Sequence, residues 1–147
     1  MLTAAVSWLL SVYPALSRRR SLAYEVHLLR DALDVAGGLV QDEGRSAERM
    51  YGELLSRLVA VERDLVTLPV SYYFAERDPR LDLPSVMPWL LELAERGLDA
   101  ATPQRTRLRA RMMRAAIHDF ACTTTAFHGV GGSTTARLEA YARDHRP

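Results

Sequence analysis

The chain has 147 residues, 48% of them hydrophobic and 25% charged, with a formal net charge of +1. This is enough apolar material for one ordinary core, and too little positive charge for bulk nucleic-acid binding. The single cysteine, Cys122, excludes an intrachain disulfide and a multi-cysteine metal site and suits a reducing compartment, while an all-arginine set of 19 basic residues reads as the codon bias of a GC-rich bacterial genome.

From Met1 to Leu16 there is no charge, and Arg18, Arg19 and Arg20 follow almost at once. As a helix this run is about 24 Å long, against roughly 30 Å of bilayer hydrocarbon, so it is too short to span. A secretory signal needs its positive charge before the apolar stretch, and here the order is reversed. Two readings remain: the first core helix of a soluble protein, or the cytoplasmic half of a transmembrane helix. The second is preferred, because an apolar run followed by arginines is the order a stop-transfer segment needs, with Trp8 and Tyr13 near the interface. The expectation is a membrane-type segment over 1–17 and a cytoplasmic helical domain over 18–147, with Arg18, Arg19 and Arg20 at the membrane boundary.

The rest reads as helices, an all-α bundle of about five after the apolar one. Leu22, Val26, Leu29, Leu33, Ala36 and Val40 form one apolar seam; Gly37 and Gly38 should end that helix, and Pro14 should kink its junction with the apolar run. After a polar link over 41–45, Ser46 is a candidate N-cap, with Glu48 in the first turn. The next seam is Tyr51, Leu54, Leu58, Val61, Leu65 and Leu68, with Arg49, Glu53 and Arg57 spaced for pairing along the helix. Two such seams in succession suggest an antiparallel hairpin or a coiled coil between subunits. Pro69 interrupts, and Tyr72, Tyr73 and Phe74 are expected to cap the core. Helical spacing resumes from Leu83 to Leu98 through Val86, Leu90 and Leu93, with Pro84 and Pro88 tolerable only in a first turn and Trp89 as packing.

Thr102 followed by Pro103 starts a helix that runs to about Phe127, with an inner seam of Met113, Ile117, Phe120, Thr124 and Phe127. Its first half carries Arg105, Arg107, Arg109, Arg111 and Arg114 with no acid among them. At about 100° per residue, Arg107, Arg111 and Arg114 share one face and Arg105 and Arg109 another. The candidates for that cluster are an anionic lipid or acidic partner face, or a solvated face neutralised by neighbouring helices. The glycines after His128 lack the lysine and spacing of a phosphate loop, so they read as a helix C-cap, with Ser133 as N-cap of a last helix that turns Leu138 and Tyr141 inward and frays from Asp144.

The chemical inventory is thin. His27 with Asp31, and His118 with Cys122, have ligand spacing but no third or fourth member, and nothing marks a nucleophile for His118 and Asp119. No enzyme activity, cofactor, metal, nucleic acid or small-molecule substrate is expected.

The order Trp8-Leu-Leu-Ser-Val-Tyr-Pro-Ala-Leu-Ser-Arg-Arg-Arg, then Glu25-Val-His-Leu-Leu-Arg, and later Leu68-Pro-Val-Ser-Tyr-Tyr-Phe with Leu83-Pro, resembles the last transmembrane segment and cytoplasmic helical region of bacterial two-transmembrane potassium channel-like proteins. The resemblance covers nearly the whole chain. It implies a homotetrameric cation pore in the plasma membrane, of which this chain supplies the inner-side assembly or regulatory region. The family's Thr-Val-Gly-Tyr-Gly-type selectivity filter is absent from this sequence, so no pore residue carries over. The rival expectation is a free-standing helical interaction module, soluble or peripheral.

Overall fold

A computed structural model describes residues 2–36 and 45–146. Five α-helices and one 3₁₀ turn lie among these residues: α1 (Leu2–Ala36), α2 (Arg45–Thr67), the 3₁₀ turn Pro69–Tyr73, α3 (Leu83–Arg96), α4 (Gln104–His128) and α5 (Thr134–Asp144). No strand occurs among them.

The beginning of the chain departs from expectation. The apolar run and the next seam form one continuous helix of 35 residues, about 52 Å long, which crosses position 17 without a break. Pro14 lies inside it, at an exposed position. The proline removes one backbone bond, and the helix persists because Val12, Ala15 and Leu16 beside it are buried in the bundle. A separate apolar transmembrane-type helix is therefore not present, and among the described residues no helix is long and apolar enough to cross a membrane.

α2 is the central element, packed on both α1 and α4. Of its seam, Tyr51, Leu54, Leu58, Val61 and Leu65 are buried as the spacing predicts, and Leu68 is half-buried just past the helix end. On α1, Leu22 and Val26 are buried and Leu29 and Leu33 pack half-buried against the core, whereas Ala36 is exposed. Val40, the glycines at 37 and 38 and most of the polar link fall outside the described residues. α2 begins at Arg45, so Ser46 lies within its first turn rather than at its cap. Arg57 reaches across to Glu25 of α1 instead of pairing along its own helix, with Nε 3.0 Å from the carboxylate. The two seams thus face each other within one chain, as an antiparallel hairpin.

α3 starts where its cap allows: the Asp82 side chain accepts from the Ser85 backbone N–H at 3.2 Å, and Pro84 occupies the first turn. Pro88 sits a turn further in, and the helix continues past it because Val86, Met87, Leu90 and Leu91 around it are buried. α4 starts one residue later than expected, with Pro103 at the N-cap position and no side-chain cap, and ends at Gly129 with φ 73°, a left-handed cap that suits glycine. Ser133 caps α5 as predicted, accepting from the Ala136 N–H at 3.2 Å. Fraying does not set in at His145, and Pro147 lies outside the described residues. His145 is buried, with Nδ1 2.9 Å from the Tyr141 carbonyl oxygen and Nε2 2.5 Å from that of Tyr72.

Of the three consecutive aromatics only Tyr72 caps the core. It stacks on Phe127 with centroids 4.3 Å apart and packs against Tyr141 and His145, and its hydroxyl donates to Asp144 Oδ2 at 2.7 Å. Phe74 is half-buried, and Tyr73 points outward.

Gly97 marks the tightest crossing. A Cβ there would lie 2.6 Å from the Tyr51 hydroxyl and 2.6 Å from Ala110 Cβ, and that hydroxyl is fixed by donating to the Leu93 carbonyl at 2.7 Å. Replacing Gly97 by alanine should cost about 1–3 kcal/mol of overpacking, read as a lowered urea midpoint with an unchanged slope.

Candidate functional site

Two surface features carry the residues singled out from the sequence, and the helix directions place them at opposite ends. Arg18 donates to Asp64 with both arms, Nε to Oδ2 at 2.6 Å and Nη2 to Oδ1 at 2.7 Å. With Glu25 paired to Arg57, this sets α1 antiparallel to α2. Positions before about 15 on α1 then lie beyond the end of α2. There Val6, Trp8, Leu9, Leu10 and Tyr13 are exposed, Leu10 at 70% and Leu9 at 59%. Val66, Val70 and Tyr73 are exposed at the same end. The result is an apolar tip, with the arginine triplet following where α1 has entered the bundle.

Each arginine of the triplet has a partner in the bundle. Arg20 Nε donates to Glu76 Oε1 at 2.5 Å. Arg19 is buried, 6% exposed, and its Nη1 donates to the Ser71 carbonyl at 2.8 Å, while Nε and Nη2 have no hydrogen-bond partner. Its positive field falls on Tyr141, as does the negative field of Asp82, whose Oδ1 is also buried without a partner. Burial dominates for that phenol and pushes it up to about 12. A buried guanidinium with a single bond is costly, and it holds α1 to the 3₁₀ turn under the apolar tip.

The second feature is the outer face of α4. Thr123 donates to Glu62 at 3.0 Å, and the Arg109 guanidinium sits beside Gly52, so α4 runs parallel to α2. Asp64, and with it Arg18, stands level with about Thr124. At about 1.5 Å per residue, Arg114 lies about 15 Å and Arg105 about 29 Å from that level, on the side away from the tip. A flat bilayer touching the tip does not reach them, since its surface field decays within about 8–10 Å. Arg105, Arg111 and Arg114 are exposed and Arg107 and Arg109 half-buried. Arg107 donates to the Ala100 carbonyl at 3.2 Å. None of the five has a carboxylate within ion-pair distance among the described residues. Glu48 and Glu53 of α2 share a cleft with Arg105 and Arg109, and Glu95 of α3 shares one with Arg111 and Arg114, in each case without an ion pair among the described residues.

The remaining chemistry-bearing pairs meet without forming a metal centre. His27 Nε2 stands 3.4 Å from Asp31, and Arg30 flanks the same carboxylate. His118 Nε2 is 3.5 Å from Cys122 Sγ and its Nδ1 is 2.8 Å from the Thr134 hydroxyl, while Arg137 donates to the same sulfur. Among the described residues no three His, Cys, Asp or Glu side chains gather as metal ligands. Arg19 lies three residues from both Leu16 and Leu22 on the apolar stripe, a signal of its burial, whereas the clasp of His145 left none because it depends on a backbone carbonyl from a distant turn.

No family model, no curated protein and no solved structure matches this chain.

Tyr51 and Tyr141 are each pushed up to about 12 by burial. Their contribution to stability is complete below the unfolded phenol value near 10 and is lost as pH rises from about 10 to about 12. Thermal melts across that interval should show the loss, and Tyr141→Phe should flatten its share. Arg19→Met should leave stability within about 1 kcal/mol of wild type or raise it, since the thioether fills similar space without an unsatisfied cation. Chemical denaturation checks this.

Proposed function

We propose that this chain is the inner-side helical assembly or regulatory region of a potassium channel-like membrane protein, held at the bilayer by the N-terminal end of α1. One observation supports it above others: the N-terminal end of α1 exposes Val6, Trp8, Leu9, Leu10 and Tyr13, and the first charges of the chain, Arg18 to Arg20, follow at its base. A tip of this kind is unfavourable in water at roughly 25 cal/mol per Å² of apolar surface and favourable in lipid. Trp8 and Tyr13 are the residue types that settle at the headgroup level, and arginines on the inner side match the usual charge bias. The module has no selectivity filter and does not itself select ions; its role is to assemble or restrain a pore formed elsewhere.

The pairing of Arg18 and Arg20 with bundle carboxylates favours a second reading, a free-standing helical interaction module whose arginines are structural. The two readings part on membranes. Mixed with vesicles of phosphatidylcholine and phosphatidylglycerol, the chain should float, and Leu9→Glu/Leu10→Glu should remain in the supernatant with binding reduced at least tenfold, about 1.4 kcal/mol or more. Wild type staying in the supernatant would overturn membrane attachment. Genomic sequence upstream of Met1 tests the channel assignment separately: a filter loop and another apolar segment support it, and an in-frame stop directly upstream sinks it.

A further inference from the structure

Two exposed helix faces in this molecule carry the same pattern with opposite charge. On α1, Leu28, Ala32 and Val35 stand at i, i+4 and i+7; Leu28 and Val35 are exposed, Val35 at 91%. On α4, Leu108, Met112 and Ala115 stand at the same offsets and are exposed, Leu108 at 57%. At about 100° per residue each trio forms one ridge. Asp31 and Asp34 flank the first ridge at the third and sixth places after its leucine. Arg111 and Arg114 flank the second at those same places.

We infer that the α1 ridge of one copy docks on the α4 ridge of a second copy, antiparallel, as a repeating contact around a symmetry axis along the bundle. In antiparallel helix pairs, flanks of the same kind meet. Leu28 then faces Ala115, Ala32 faces Met112 and Val35 faces Leu108, so at the first two positions a large side chain meets a small one. Asp31 comes to Arg114 and Asp34 to Arg111. Those two arginines have no carboxylate partner within their own chain among the described residues, and Asp34 has no ion pair there either. Asp31 already has His27 and Arg30 beside it, and Arg107 adds positive charge on the α4 flank. Glu95 lines the cleft beside Arg111 and Arg114, and opposes the contact only through space.

The placement of the two faces agrees with that operator. α2 and α3 each pack on both α1 and α4 and lie between them, which leaves the outer faces of α1 and α4 on different sides of the bundle. Within one chain α1 runs antiparallel to α4, so rotation about the bundle direction presents α1 of one copy to α4 of the next in the antiparallel sense. The heights match as well. Leu28 is level with Leu54 of α2, and thus with α4 near position 112, within about 5 Å of Ala115. Pairing α4 with α4 would set arginine against arginine, and pairing α1 with α1 would set Asp31 and Asp34 against one another, so the contact is heterologous and closes into a ring or runs on as a filament. Each contact is small, and closure supplies the avidity. Membrane attachment plays no part in this inference.

The test is light scattering of the full chain in a non-ionic detergent that covers the α1 tip. Wild type should associate with rising concentration. Asp31→Arg/Asp34→Arg and Arg111→Asp/Arg114→Asp should each weaken association at least tenfold, and an equimolar mixture of the two should recover it, because each variant then offers the face the other needs. The inference is overturned if wild type keeps a single-chain mass at about 100 μM, a concentration at which even weak contacts register, leaving a foreign acidic helix as the occupant. It is equally overturned if either reversal associates like wild type, or if the folded mixture stays dissociated. Should a reversal lower the helical circular dichroism, Val35→Cys/Leu108→Cys in a Cys122→Ser background replaces it: an intermolecular 35–108 disulfide supports the contact, and its failure to form under oxidation overturns it.

Discussion

Arg18 gripping Asp64 with both arms, and Arg57 reaching Glu25 two turns further along, hold α1 against α2 in one antiparallel register. Partly exposed ion pairs of this kind add little to stability, at most about 1 kcal/mol each. Their effect lies in position. A slip of one turn would move the apolar tip by about 5.4 Å and carry Leu22 and Val26 out of the core they fill. The hydrophobic seams supply the driving force and the charge pairs select the register.

That register separates two kinds of surface that the sequence leaves undivided. The uncharged start of α1 and the arginine-rich start of α4 both invite a lipid reading when met as strings. In the fold α1 and α4 point in opposite directions, so the tip and the arginine face occupy different ends. One end of the bundle exposes apolar side chains and the other exposes arginines without ion pairs among the described residues.

Arg19 shows that three neighbouring residues of one type can have different surroundings. Three consecutive arginines on a helix point about 100° apart, and the middle one falls on the buried stripe that runs through Leu16 and Leu22. Arg18 and Arg20 reach carboxylates at the rim, and Arg19 is caught beneath the 3₁₀ turn with a single carbonyl. The same 3₁₀ turn supplies the Tyr72 carbonyl that fixes His145. The chain end and the arginine block are therefore tied to one short turn between α2 and α3.

The helical class, the buried seams of α2 and α4, the glycine cap at Gly129 and the serine cap at Ser133 were all legible in the order of residues, because each follows from periodicity or from the backbone needs of a few neighbours. Packing was required to show that the first two expected helices are one, since burial of Val12, Ala15 and Leu16 outweighs what Pro14 removes. Packing also set which carboxylate each arginine meets and which end of the bundle each surface occupies. Those outcomes depend on how helices distant in the chain cross, and no local pattern of residues encodes a crossing.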